Sequence, residues 1–142
     1  MAEVDRGQHL TRIPPPNVSK DREVPLISEQ ELELLCALSY VHLACGNSAE
    51  SLALLRFVAH ERSQNVDLLR ILAYALVSEG SGHEALAVLD RLDTLDGQPS
   101  SRLPLMLLRS HALRKSGRMA EARATFARYV SLRGSATRFE QQ

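Results

Sequence analysis

The chain contains three copies of one short pattern, and their spacing restricts the fold more than any other feature. Each copy has a glycine, three variable residues, a glutamate and a small residue; the copies begin at Gly46, Gly80 and Gly117, which are 34 and then 37 residues apart. Glycine tolerates the left-handed backbone conformation with which a helix can stop and reverse. The small residues, expected where the next helix crosses its predecessor, are Ser51, Ala85 and Ala122. Each copy therefore predicts a corner between two helices.

The stretches between these corners have the apolar spacing of amphipathic helices. Helices are predicted at about 29–44, 48–62, 66–79, 82–95, 101–116 and 118–133. Ser28 and Glu31 predict a capping box before the first helix, and Asn65 predicts a cap before the third. Ser100 or Ser101 is expected to cap the fifth helix.

The same spacing predicts which side chains face the core. In the first helix Leu34 and Val41 flank a stripe that begins at Leu32. The expected inward-facing residues are Leu32, Leu35, Leu38, His42, Leu52, Leu55, Val58, Ala59, Leu69, Leu72, Ala73, Leu76, Leu86, Leu89, Leu92, Met119, Ala122, Phe126 and Tyr129.

This helix–turn–helix content at a period of about 34 residues predicts an all-α fold of three tandem tetratricopeptide (TPR)-like repeats. Such repeats stack into a short right-handed superhelix whose concave face is lined by the first helix of each repeat. The repeat domain is expected at 28–134, with Gly134 ending the last helix and 135–142 forming a frayed tail. Residues 1–27 contain three consecutive prolines and few large apolar side chains, which predicts a disordered arm.

Alignment of the repeats on their corner glycines predicts a row of residues along the concave face. Tyr40 and Tyr74 occupy the same repeat position, and His111 is the third member. An apolar and aromatic row of this kind is typical of a groove for a helical or extended peptide. The alternative is that a terminal helix covers the row. The predicted groove residues are Cys36, Tyr40, Leu43, Arg70, Tyr74, Val77, Leu107, His111 and Arg114.

Composition and charge disfavour several classes of function. The formal net charge is zero, whereas a dedicated nucleic-acid-binding protein needs a broad basic surface. The longest apolar run, 71–77, is far shorter than the roughly 20 residues that span a bilayer. The two cysteines fit neither a disulfide scaffold nor a metal motif, which indicates a reducing compartment. A cytoplasmic protein outside the membrane, without nucleic acid as a partner, is expected.

Motifs that carry chemistry are weak in this chain. Gly80-Ser-Gly82-His-Glu-Ala85 matches a dinucleotide fingerprint, but a lone match needs a strand–helix–strand context that is absent here. His42 and Cys45 are half of a metal site at most, and no second pair has the required spacing. We therefore expect no catalytic residue, no metal, no cofactor and no enzymatic activity.

The C-terminal part of the chain is basic, with nine Arg or Lys residues and one acid between Arg102 and Arg138. A solvated helix surface is one interpretation and a docking surface for an acidic partner is the other. The proline-rich arm leaves the same choice, between a passive tail and a segment that docks in a groove.

The residues resemble a known family, the small TPR chaperones of bacterial type III secretion, and most closely the YscY (SctY) group. The resemblance covers roughly 27–133. It is carried by Leu43-Ala-Cys45-Gly46 with the following helix Ala49–Leu55, by the last corner from Gly117 to Ala122-Arg123, and by Tyr129 and Leu132.

The resemblance implies a cytoplasmic chaperone that holds a small exported protein, YscX (SctX), and brings it to the export-gate protein SctV. The residues that would hold the partner are, by analogy, Tyr40, Leu43, Arg70, Tyr74, Val77 and His111. Related alternatives are the translocator chaperones and the needle-subunit chaperones.

Two further expectations concern partners. Without its client, such a chaperone is expected to form a homodimer through its apolar face. A general TPR adaptor is the other interpretation, in which Arg70 and Arg114 clamp the terminal carboxylate of a peptide.

Overall fold

The computed structural model describes residues 25–141 as an all-helical chain, as the sequence predicts. The helices are α1 (Glu29–Ala44), α2 (Ser48–Glu61), α3 (Val66–Ser78), α4 (Gly82–Leu95), α5 (Arg102–Lys115) and α6 (Met119–Glu140), with a short 3₁₀ turn at Pro99–Ser101. No strand occurs within these residues. Most of the expected N-terminal arm, residues 1–24, lies outside the described part of the chain.

The three glycine corners are confirmed. Gly46, Gly80 and Gly117 have backbone φ angles of +81°, +81° and +82°. At the first corner the amide of Asn47 donates to the carbonyl of His42 at 2.8 Å, and the amide of Gly46 donates to Leu43 at 3.0 Å. The other two corners repeat both bonds. This is the Schellman arrangement, which satisfies the last carbonyls of a helix and requires a left-handed residue.

Two of the predicted helix starts are also confirmed. The hydroxyl of Ser28 accepts from the amide of Glu31 at 3.2 Å, and the Glu31 carboxylate accepts from the amide of Ser28 at 2.8 Å. These hydrogen bonds lower the pKa of Glu31. Before α3, the side chain of Asn65 accepts from the amide of Leu68 at 2.9 Å. Both caps satisfy amide groups that have no partner inside the helix.

The predicted cap of α5 is wrong. Ser100 and Ser101 lie in the 3₁₀ turn, and Ser101, at the cap position, makes no side-chain bond to the helix. Its hydroxyl instead accepts from the guanidinium of Arg70 at 2.6 Å. The hydrogen bond from Arg70 therefore occupies the hydroxyl that was expected, from the local sequence, to cap α5.

The predicted end of the last helix at Gly134 is also wrong, because α6 continues to Glu140. Within a helix, glycine costs only about 0.5–1 kcal/mol relative to alanine, so it does not end one unless the backbone turns left-handed. Gly134 has no positive φ, unlike the corner glycines. The expected frayed tail at 135–142 is therefore helical as far as Glu140.

The helices pack as three hairpins, α1 with α2, α3 with α4 and α5 with α6, and each hairpin contacts the next through α2–α3 and α4–α5. The first helices also contact each other, α1 with α3 and α3 with α5. The backbones of the second helices α2 and α4 lie farther apart, and an ion pair between Arg56 of α2 and Glu84 of α4, at 2.8 Å, joins the two helices. The array therefore curves with α1, α3 and α5 on its inner side.

The small residues at the helix crossings are buried, as predicted. Ala85 is completely enclosed and Ala122 nearly so. At the first crossing the hydroxyl of buried Ser51 donates to the carbonyl of Ser39 at 2.8 Å. A hydroxyl can replace alanine there because it finds an acceptor on the opposing helix.

The predicted core is confirmed in α2, α3 and α4 and is partly wrong at both ends. Leu38, expected inside, is exposed, as are Met119 and Phe126 of α6. Leu34 and Val41 are exposed as well. Periodicity places these residues on the correct helix face, but among residues 25–141 no neighbouring helix covers that face in the first and last hairpins.

None of the helices between residues 25 and 141 combines the length and apolar character needed to span a membrane.

Candidate binding groove

Two exposed tyrosines mark the inner side of the array. Tyr40 of α1 and Tyr74 of α3 occupy equivalent positions, and 64% and 56% of their surfaces are exposed. A cavity of about 430 Å³ lies between α1 and α3, lined by Tyr40, Leu43, Ala44, Arg70, Ile71 and Tyr74. Its walls are the rings and aliphatic side chains that apolar peptide side chains pack against.

A second cavity, of about 490 Å³, lies between α3 and α5. Tyr74 and Arg70 line it as well, so the two cavities adjoin at these side chains. On the α5 side the wall is formed by Pro104, Leu105, Leu107, Leu108 and His111. Together the two cavities form an open groove along the inner side of the three hairpins, and we call this surface the inner groove.

The structure divides the predicted row into three sets. Tyr40, Leu43, Arg70, Tyr74, Leu107 and His111 line the inner groove. Cys36 and Val77 line neither cavity; both are half-buried and pack against the core. Burial raises the pKa of the Cys36 thiol, and the charge of Asp67 raises it further. Arg114 lies beside a different cavity, next to α6. Whether the six groove residues bind a partner stays a prediction.

Arg70 is not free to clamp a carboxylate, as the adaptor interpretation requires. Its Nε and Nη2 donate to Oδ2 of Asp96 at 2.9 and 2.6 Å, and its Nη1 donates to Asp67 at 3.1 Å. The Asp96 side chain is almost completely enclosed. Hydrogen bonds from Arg70 hold the pKa of Asp96 below its usual value, aided by the amide of Gln98 and by Ser101. Arg70 therefore fastens α3 to the connection before α5.

Sequence reasoning missed the role of Asp96 and the contribution of Pro104. Asp96 is 26 residues from Arg70 in the chain and stands in a segment that reads only as a helix break. No local signal connects them. Pro104 is compatible with the first turn of α5, but a proline at that position gives no signal for the wall of a groove.

Gly82 has a packing explanation in this structure. It is buried at the start of α4, and a Cβ there would lie 2.5 Å from the carbonyl oxygen of Ala112 and 2.6 Å from the amide nitrogen of Ser116. The second glycine of the fingerprint-like motif therefore permits close contact between α4 and α5. Within residues 25–141, no group of three or more His, Cys, Asp or Glu residues is arranged to hold a metal ion.

Part of the C-terminal basic stretch is engaged in ion pairs. Arg109 of α5 reaches Asp90 and Asp93 of α4 at 2.8 and 2.7 Å, and Arg118 reaches Glu121 at 2.5 Å. Hydrogen bonding to Arg118 lowers the pKa of Glu121. The solvated-surface interpretation thus has direct support at these residues.

Comparisons with known proteins assign no family to this chain: no protein-family model matches it, and no curated protein shows significant similarity to it. Assignment of a function therefore depends on the inner groove and on the residues that form it.

Proposed function

We propose that this protein is a chaperone of TPR type, whose inner groove holds a segment of a small exported protein. The observation that carries the proposal is the row of exposed rings and aliphatic side chains along the inner side of the hairpins. Tyr40 and Tyr74 present more than half of their surface to solvent at equivalent positions. Large exposed apolar surfaces of this kind mark interaction sites in soluble proteins.

Three tandem TPR-like repeats in a right-handed superhelix are the architecture that we infer for such a chaperone. The hydrogen bonds at the three corners are equivalent, and the small crossing residues lie five positions after each corner glycine. These features support repeats of one kind. The contacts of α1 with α3 and of α3 with α5 support a concave side formed by the first helices.

The groove can protect a client without catalysis. A client segment with apolar side chains on one face would bury them against Tyr40, Tyr74 and Leu107, and it would be kept from aggregation while bound. Each apolar Å² removed from water contributes roughly 25 cal/mol, less the cost of ordering the segment. The binding free energy also stabilises the folded chaperone, since the client binds only that state.

The resemblance to the YscY group supplies the identity of the client and of the next partner. The client would be a small type III export protein of the YscX (SctX) kind, held in the bacterial cytoplasm and delivered to SctV. Chaperones of translocators or needle subunits would use the same groove for other clients.

Retention of a co-expressed SctX-type protein from the same genome tests this proposal. Tyr74→Glu places a charge in the centre of the groove and should abolish co-purification, whereas Phe57→Glu should not. Phe57 is an aromatic residue of α2 that is also more than half exposed, and it lines neither groove cavity. Circular dichroism of both variants should match the parent, because both side chains are largely in solvent.

Two results would count against the proposal. If no SctX-type protein co-purifies with the parent chain, the client is wrong. If Tyr74→Glu retains the client as well as Phe57→Glu does, the inner groove is not the binding surface.

A further inference from the structure

The first hairpin exposes residues that the second hairpin buries. Counted from the corner glycines, Leu34, Leu38 and Val41 of α1 correspond to Leu68, Leu72 and Ala75 of α3. The α3 residues are 0%, 6% and 0% exposed, whereas the α1 residues are 67%, 43% and 54% exposed. We call Leu34, Leu38 and Val41 the ridge.

The third hairpin shows what this helix face contacts. Arg109 of α5 stands at the position of Leu38, and its guanidinium reaches Asp90 and Asp93 of α4. The position therefore faces the second helix of the preceding hairpin. At α1 no preceding hairpin exists among the described residues, so the ridge is an inter-hairpin surface without its partner.

At the opposite end of the array, the last hairpin exposes the surface that would contact a following hairpin. Phe126 of α6 corresponds to Leu55 of α2 and Leu89 of α4, helices that each contact a following hairpin. Leu55 and Leu89 are each 1% exposed, but Phe126 is 48% exposed. Beside it an open cavity of about 450 Å³ is lined by Leu107, Phe126, Tyr129, Val130, Arg133, Gly134 and Thr137. We call this cavity the slot. It occupies the place between α5 and α6 where the first helix of a fourth hairpin would lie.

We propose that the ridge of one copy packs into the slot of a second copy, head to tail. By analogy with the contacts inside the array, the slot suits a first helix that has large apolar residues at positions i and i+4. At position i+7 such a helix has a small or β-branched apolar residue. Leu68, Leu72 and Ala75 show this pattern inside the array, and Leu34, Leu38 and Val41 present it at the free end. Because one chain carries both surfaces, a second copy is the occupant that the geometry favours.

The charges at the two ends are complementary. Within the array, each first helix begins close to the end of the preceding second helix, because only a few residues connect them. In the proposed contact the start of α1 would bring Glu33 beside the C-terminal half of α6, with Arg133 and Arg138. Glu29 and Glu31 lie at the same end of α1, where Glu29 already pairs with Arg62 and Glu31 accepts from the amide of Ser28. Opposite charges at such distances attract and are screened by salt.

This contact is heterologous, so it leaves one ridge and one slot free and can add further copies. The experiment uses full-length protein with one end blocked at a time: Leu38→Glu in the ridge and Phe126→Glu in the slot. The mass of the parent, measured by light scattering, should rise with concentration beyond that of a dimer. Each variant alone should remain monomeric, and an equimolar mixture should form a heterodimer and nothing larger.

Phe57→Glu serves as the control and should associate like the parent, because Phe57 lies in neither surface. Circular dichroism verifies that each variant is folded, and Leu34→Glu replaces Leu38→Glu if that variant is not. Tyr74→Glu should associate normally, which separates this proposal from the fate of the client-binding groove.

Three outcomes would overturn the inference. One is a parent chain that stays monomeric at every concentration. Another is a dimer that Leu38→Glu abolishes and Phe126→Glu does not, because α1 of one copy would then pack on α1 of the second copy. The third is a monomer that associates only after residues 1–24 are removed, which would assign the cover of the ridge to that segment.

Discussion

At the scale of single residues, Gly82 shows how one sequence signal can have two physical causes. Gly80-Ser-Gly82 fits the start of a phosphate-binding loop as well as a helix corner. The structure assigns separate roles to the two glycines. Gly80 supplies the left-handed turn, and Gly82 brings the start of α4 against the backbone at the end of α5. Backbone atoms cannot move aside as a flexible side chain can, so the second role is as strict as the first.

Replacement of Gly82 by alanine should therefore destabilise the protein. Its backbone φ is not left-handed, so the cost would come from overpacking, which is typically about 1–3 kcal/mol. The matched control is Gly134→Ala in α6, where a Cβ would meet no atom within 4 Å. That change should raise the free energy of unfolding by about 0.5–1 kcal/mol, as alanine does in an open helix position. Urea denaturation followed by circular dichroism measures both, and equal effects would contradict the packing role of Gly82.

Arg70 and Asp96 form the charged contact with the clearest dependence on pH. The pKa of Asp96 is lowered in the folded protein because Arg70 donates hydrogen bonds to its carboxylate. A lowered folded-state pKa means that the pair stabilises the fold at pH values above the unfolded pKa of about 3.9. The stabilisation is lost as the pH falls through the folded-state pKa.

The difference in unfolding free energy between the parent and Asp96→Asn should therefore be largest near neutral pH and should shrink in acid. Asp90→Asn is the control, because Asp90 forms an exposed ion pair with Arg109 and surface pairs contribute only about 0.2–1 kcal/mol. Urea titrations between pH 7 and pH 3 compare the three proteins. A difference for Asp96→Asn that is independent of pH would show that its carboxylate charge does not support the connection.

At the scale of elements, the sequence predicts a helix end well when residues close in the chain satisfy the free backbone groups of that end. The capping box at Ser28 and the corner glycines satisfy backbone groups within a few residues, so their effects are readable from neighbouring letters. The prediction of helix ends from local sequence fails at Ser101 and at Gly134. Arg70, from another helix, takes the hydroxyl of Ser101, and Gly134 has no left-handed turn to make.

The inner groove was also predictable only in part. Alignment on the corner glycines places Tyr40 and Tyr74 side by side, because equivalent positions of stacked hairpins face the same way. It does not distinguish a residue on the groove surface from its neighbour that turns into the core. Cys36 and Val77 are half-buried against the core and line neither cavity, because a rotation of a few tens of degrees about the helix axis decides burial.

At the scale of the whole molecule, stability is expected to be concentrated in the central hairpin. Its helices contact hairpins on both sides, and they supply most of the fully buried large side chains: Leu68, Leu69, Leu76, Leu89 and Leu92. By contrast, α6 buries only Ala122 among the residues of that helix. In repeat arrays, stability is roughly a sum over hairpins and the interfaces between them, so hairpins at the ends have one interface fewer.

Amide hydrogen exchange should follow this distribution, with the slowest exchange in α3 and α4 and faster exchange in α1 and α6. The part of α6 beyond Arg133 buries no residue and should exchange fastest. Because head-to-tail association would cover α1, α6 and the side of α5 that carries Leu107, raising the protein concentration should slow exchange in these helices and leave α3 and α4 unchanged. Strong protection of α1 in dilute solution would contradict this picture, since it would mean that the ridge is already covered within a single chain.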